Sequence, residues 1–148
     1  MKAVVQRVSR AQVSIDGKEV GAIGLGFVVL LGVGEGDTEA QAWRLWGKIA
    51  KMRIFDDEAG KANLALGDVG GQVMVVSQFT LYADCKKGNR PSFTRAMEPD
   101  EANRLYEYFL DLARAEVDHV AHGVFGAMMD IELVNDGPFT IVLDTAEL

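Results

Sequence analysis

The chain has 148 residues, 49% of them hydrophobic and 25% charged, with a formal net charge of −7, which is apolar material for the core of one domain spanning 1–148 and too little for two. That charge excludes broad, sequence-independent binding to DNA or RNA, whose affinity comes from many cations set against phosphates. A single cysteine, Cys85, excludes an internal disulfide and a cysteine-built zinc site, and no apolar run reaches the length of a membrane span. With charges in Met1 to Arg7 where a secretory signal would be apolar, the expectation is a cytoplasmic protein with no membrane contact.

From Ala3 the odd positions read Ala3, Val5, Arg7, Ser9, Ala11, Val13, Ile15, the alternation of an extended strand. Arg7 stands on its apolar side. Either the guanidinium points inward and finds carboxylate or carbonyl partners, or the strand lies at an edge and leaves it in water. Asp16-Gly17 is a tight turn into a return strand, Lys18 to Ile23, and Gly26 to Val33 is a third, more apolar strand. Thr38-Glu39-Ala40-Gln41 fits a capping box and predicts a helix to about Met52, with Ala42, Leu45, Trp46, Ile49 and Met52 on one stripe.

The segment from Asp56 to Gly71 has no sustained period and reads as loop, with Gly70-Gly71 turning into a strand, Gln72 to Ser77, whose apolar residues Val73 to Val76 predict cover on both faces. A second helix is expected from Pro99 to about Val117, with Pro in its first turn and Asp100-Glu101 at the positive end of its dipole. The last segment alternates through Met129, Ile131 and Leu133, passes a Gly137-Pro138 corner, and continues through Phe139 to Leu143; it reads as a final hairpin. Two helices among about six strands predict an α+β fold: a curved, mainly antiparallel sheet or partial barrel with two helices packed outside.

Two polar insertions stand out against this apolar background. Ser77-Gln78-Phe79-Thr80-Leu81 places two hydroxyls and an amide at the end of a buried strand, and Asn135-Asp136-Gly137-Pro138-Phe139-Thr140 sets a special backbone geometry between two strand runs. Thr80 as a nucleophile would need a base, and no partner at a telling spacing is evident. Backbone N–H groups at the strand end can instead hold a carbonyl or oxyanion, with Phe79 stacking on a ring. Lys86, Lys87, Arg90 and Arg95 fall in a ten-residue run without an acid, which is either a solvated loop or a local phosphate contact. His119 and His122 lack a third ligand, so no metal is expected, and no cofactor.

Ser77-Gln78-Phe79-Thr80-Leu81-Tyr82, Lys87-Gly88-x-Arg90-Pro91-Ser92-Phe93, Gly123-x-Phe125-Gly126-Ala127-x-Met129 and Asn135-x-Gly137-Pro138-x-Thr140, together with Arg7, Val8 and Ala11-x-Val13 near the start, resemble the D-aminoacyl-tRNA deacylase family in order and spacing along the whole chain. The resemblance implies a homodimer that hydrolyses the ester between a D-amino acid, or glycine, and the acceptor end of tRNA. It implies that the backbone N–H groups of Phe79 and Thr80 position substrate and oxyanion, and that the terminal 2′-hydroxyl assists water attack. It further implies that Ser77, Gln78, Phe125 and Met129 bind substrate. Gly137-Pro138 would be a cis corner inserted into the partner's pocket to exclude L-amino acids, and Arg7 would orient that corner. Lys86, Lys87 and Arg90 are the expected tRNA phosphate contacts. A covalent threonine esterase and a non-catalytic tRNA-end binder are the rival readings.

Overall fold

The computed structural model describes residues 1–148. Strand β1 (Lys2–Ile15) is the spine of the fold, and at its end Asp16 and Gly17 take φ of 50° and 77° to turn directly into β2 (Lys18–Ile23). β3 (Gly26–Gly32) then pairs antiparallel with the first half of β1, from Val8↔Gly26 to Lys2↔Gly32. One edge of β1 thus carries β3 and β2 end to end.

Helix α1 (Glu39–Ala50) begins at Thr38, whose hydroxyl and Gln41 form both halves of the capping box. The stretch expected to be loop contains a small separate hairpin, β4 (Phe55–Asp56) with β5 (Ala62–Leu64), and a 3-10 turn, Gly67–Val69. Elements this short leave too few residues for a period to register. β6 (Gln72–Ser77) joins the sheet parallel to β3, and β7 (Val120–His122) adds parallel to β6 after helix α2 (Pro99–Glu116). The sheet curls far enough that the His119 imidazole nitrogen Nε2 lies 2.7 Å from the Ala22 carbonyl of β2.

The final segment differs from expectation. It is one strand, β8 (Asp130–Asp144), antiparallel to β1 along its whole length from Ser14↔Asp130 to Lys2↔Asp144, and there is no hairpin. Both halves find the same partner, and irregular pairing between Gln6 and Arg10 absorbs the Gly137-Pro138 corner, so the chain bends without reversing.

Each face of the sheet has its own apolar cluster, which explains a β6 without polar alternation. Val73 and Val75 point to the larger cluster with Leu45, Trp46, Ile49, Leu105 and Phe109 of the helices; Met74 and Val76 point to a smaller one with Val8, Val13 and Val28. Trp46 meets Phe109 edge to face at 5.7 Å, and its indole N–H donates to Glu116 at 3.1 Å, leaving no buried donor unpaired. On the other side of the sheet, Leu30, Met129, Ile131 and Leu133 are only partly covered.

Candidate active site

Beyond Ser77 the chain leaves the sheet. The Gln78 amide makes a last bond to the Leu31 carbonyl at 2.7 Å, and a single 3-10 turn, Phe79–Tyr82, follows. The turn and loop bonds here use the N–H groups of Gln78, Leu81 and Ala83 but neither that of Phe79 nor that of Thr80. Two adjacent backbone donors are therefore available at a strand end, the arrangement that stabilises a developing oxyanion. The Thr80 hydroxyl is engaged by the Gln78 side-chain amide, and no histidine or carboxylate bonds it. A base-activated nucleophile lacks its base.

These residues open onto a cleft of about 760 Å³. Of the residues expected to form the site, Ser77, Gln78, Phe79, Thr80, Phe125 and Met129 all line it, brought together from β6 and from the turn between β7 and β8. No charged side chain is among the lining residues. The wall that sequence reasoning missed comes from the segment before α2. Phe93 meets Phe79 edge to face at 5.0 Å, and Ala96 and Met97 are held against β3's end by a bridge from Ala96 to Gly34 and a 3.0 Å bond from the Met97 amide to the Val33 carbonyl. The one signal for this wall was an aromatic residue, Phe93, inside an otherwise basic run.

Local backbone choices support the lining. Gly126 takes φ of 78° in the turn that presents Phe125, whose ring stands 6.1 Å from the buried Tyr106 ring. At Gly123 any β-carbon would run into the Met129 sulfur, so the glycine lets that side chain seat against the strand.

Gly137, Pro138, Arg7, Lys86, Lys87 and Arg90 do not line the cleft of their own chain. Lys86, Lys87 and Arg90 are exposed on a loop closed by the Asp84↔Ser92 bridge, with backbone bonds of 2.8 and 2.9 Å. Gly137 and Pro138 are exposed, joined by a cis peptide bond. Arg7 is buried at 6% exposure and ties this corner down. Its Nη1 donates to the Ile54 carbonyl at 2.6 Å, its Nε to the Asp136 carbonyl at 3.0 Å, and its guanidinium faces the Phe139 ring at 4.8 Å. Of the two positions open to Arg7, the structure takes the inward, paired one. Asn135 completes the corner, accepting from the Phe139 amide and donating to the Thr140 hydroxyl, each at 2.8 Å.

His122 contacts the neighbouring Gly123 carbonyl, and neither histidine joins a cluster of metal-ligating side chains. A smaller depression of about 330 Å³ lies at the opposite end of β6, lined by Gly67, Gln72, Glu116 and His119 among others, and none of the expected site residues reaches it. No helix is long and apolar enough to cross a membrane.

Residues 4–144 match the model of the family described as D-Tyr-tRNA(Tyr) deacylase. The chain is 58% identical over 146 residues to the D-aminoacyl-tRNA deacylase of Variovorax paradoxus (strain S110), covering 99% of this chain and 100% of that one. It is 55% identical to the D-aminoacyl-tRNA deacylase of Thermus aquaticus over 147 residues, 99% and 97% of the two chains. Among solved structures, one titled c-Myc DNA Unwinding Element Binding Protein superposes with a TM-score of 0.92 at 41% identity, over 97% of this chain and 98% of that one.

Proposed function

The chain belongs to the D-Tyr-tRNA(Tyr) deacylase family, and we propose that it hydrolyses the ester joining a D-amino acid to the 3′ end of tRNA, as a single domain acting in the cytoplasm. The observation that carries this reading is the pair of free amides, Phe79 and Thr80, at the mouth of a cleft without charged side chains. In such a site, water adds to the ester carbonyl, the oxygen that gains charge accepts from those two N–H groups, and the bond to the ribose 3′-oxygen breaks as that oxygen takes a proton. No side chain bonded to Thr80 can act as base, which favours assistance from the substrate's own 2′-hydroxyl. Ser77 and Gln78 orient the polar end of the substrate, while Phe125 and Met129 pack against its rings.

Selectivity is assigned to exclusion. Gly137 and Pro138 stand exposed on a corner that does not border its own chain's cleft, and β8 leaves Val134 40% and Val142 72% exposed along its length. Both features favour a homodimer in which each corner enters the other subunit's cleft and occupies the space of an L side chain, leaving D-amino acids and glycine to enter. Lys86, Lys87 and Arg90 then meet phosphates near the acceptor end, a local contact compatible with a net charge of −7, which tells against DNA as a partner.

The test is ester loss from D-Tyr-tRNA, L-Tyr-tRNA and Gly-tRNA incubated with the protein. Loss from the D and glycyl esters with the L ester intact is the expected result; an intact D ester, or equal loss of both enantiomers, overturns the reading. Mixing a subunit whose Thr80→Pro change removes the amide, in excess, with one carrying a disrupted corner tests the shared site. In the mixed dimer the one working cleft receives the intact corner, so L-Tyr-tRNA, which the corner-disrupted homodimer hydrolyses, should again be spared while D-Tyr-tRNA is still hydrolysed. Continued loss of the L ester despite subunit exchange would rule out a corner acting across the interface.

A further inference from the structure

The catalytic turn is four residues long, too short to hold its own orientation by helical bonding. What fixes it lies on the side away from the cleft, at Gly32, Gly34 and Asp37. A β-carbon at Gly34 would stand 2.5 Å from the Tyr82 Oη and 2.6 Å from its Cε1, and one at Gly32 would stand 3.1 Å from both the Gln78 carbonyl and the Leu81 β-carbon. A β-carbon at Gly32 would also stand 3.3 Å from the Tyr82 Cδ2, so the Tyr82 ring packs over the space that these two glycines leave at the end of β3. Its hydroxyl reaches Asp37 Oδ2 at 3.4 Å, and Lys2 Nζ stands 5.1 Å from its ring centroid. Asp37 is itself fixed by three other bonds. Its Oδ2 accepts from the Gly34 amide at 2.6 Å, its Oδ1 accepts from the Met1 α-ammonium at 2.6 Å, and its backbone amide donates to the Gly34 carbonyl at 3.1 Å.

We propose that Tyr82, seated on Gly34 and held by Asp37, is the positioning residue that aims the Phe79 and Thr80 amides at the reacting carbonyl. Tyr82 ends the turn that Phe79 begins, so moving its ring off Gly34 rotates the whole turn. The inference rests on the deacylase reading of the site and adds to it the element that fixes the donors. Phe79 and Thr80 face the cleft, whereas Tyr82 does not line it, so losing Tyr82 should impair the chemical step while leaving the substrate's contacts in place. A misplacement of about 1 Å at such donors can cost on the order of 100-fold in rate.

Single-turnover hydrolysis of D-Tyr-tRNA, with enzyme in excess and varied, separates the saturating rate from the half-saturating concentration. For Tyr82→Ala and for Gly34→Ala the expected result is a saturating rate lower by roughly 10-fold or more with the half-saturating concentration within about twofold, the split that marks an interaction serving the transition state. Tyr82→Phe, which keeps the ring on Gly34, should recover all but about threefold of that loss. In the double variant Gly34→Ala with Tyr82→Ala the losses should not add, because with the ring gone the new methyl has nothing to displace. If Tyr82→Ala does not fold, Tyr82→Leu takes its place. A saturating rate unchanged in Tyr82→Ala, a loss confined to affinity, or full additivity in the double variant would each refute the positioning role while leaving the deacylase reading intact. A wild-type protein inactive on D-Tyr-tRNA would sink both.

Discussion

Replacing Arg7 by methionine should destabilise the protein by about 3 kcal/mol and loosen its enantiomer selectivity more than it slows the D-ester reaction. The guanidinium is buried, with 7% of the side chain exposed, and donates to two carbonyls, Ile54 at 2.6 Å and Asp136 at 3.0 Å. Hydrogen bonds from a charged donor are worth roughly 1.5–3 kcal/mol each, and each carbonyl left without a donor adds a desolvation penalty. The ion pairs add less: Asp56 at 3.4 Å and Asp136 at 3.5 Å are 57% and 49% exposed, where such pairs contribute about 1 kcal/mol or below. Against these losses, the methionine regains apolar packing and removes the cost of burying a charge, which brings the net towards the lower end of the range. Urea unfolding at neutral pH measures the stability change, and the corresponding fall in melting temperature is roughly 6–12 °C. Hydrolysis of D-Tyr-tRNA and L-Tyr-tRNA measures the second effect, because Arg7 joins β1, the segment before β4 and the Gly137-Pro138 corner. Arg7→Lys should fall between the two proteins, since an ammonium cannot span both carbonyls in the planar fork geometry. A loss of stability below about 1 kcal/mol would refute the energetic reasoning. A normal stability loss with an unchanged D-to-L ratio would detach Arg7 from selectivity.

Three further outcomes follow from the site and the core. Thr80→Ala should retain most of its single-turnover rate, because the backbone N–H remains, whereas tRNA ending in 2′-deoxyadenosine should not be hydrolysed; a dead Thr80→Ala with normal binding would restore the nucleophile. Changing Lys86, Lys87 and Arg90 to glutamine should weaken tRNA binding and lower the slope of log affinity against log salt by about 0.7 per contacting cation, and an unchanged slope would remove the loop from the interface. Burial holds the Tyr106 hydroxyl, which donates to the Val75 carbonyl at 2.9 Å, well above its ordinary pKa. A raised folded-state pKa means its contribution is fully present below the unfolded pKa near 10 and is lost as pH rises beyond it, at up to about 1.4 kcal/mol per pH unit. Urea midpoints between pH 9 and 11.5 should therefore fall more steeply for the wild type than for Tyr106→Phe, and parallel slopes would contradict the assignment.

The elements legible in the sequence are those with local signals. Asp16-Gly17, the Thr38 box, and Pro99 after Glu98, whose carboxylate caps α2 through the Asp100 and Glu101 amides, each mark a boundary within a few residues of the structural one. The strand β6 was readable because cover on both faces removes polar alternation. What could not be read depends on partners far along the chain. β7 has three residues and exists by pairing with β6; β8 is one strand because β1 accepts both of its halves; Arg7 is paired by carbonyls 47 and 129 residues away. The Phe93 to Met97 wall has no periodicity and reaches the cleft through bonds to β3.

The same distinction explains why this site is recognised by its backbone. Its side chains are apolar or neutral, Thr80 is engaged by an amide, and the groups suited to chemistry are two N–H donors that any residue but proline would supply. Residue identity therefore acts one step removed: glycine at 32 and 34 admits the turn, glycine at 123 seats Met129, and Arg7 with Asn135 holds the exposed corner. On the proposed reading, substrate choice depends on where backbone stands and catalysis on where amides point. Substitutions at these glycines and at Arg7 should then alter rate and selectivity more than removal of the one hydroxyl, Thr80, that looks catalytic in the sequence.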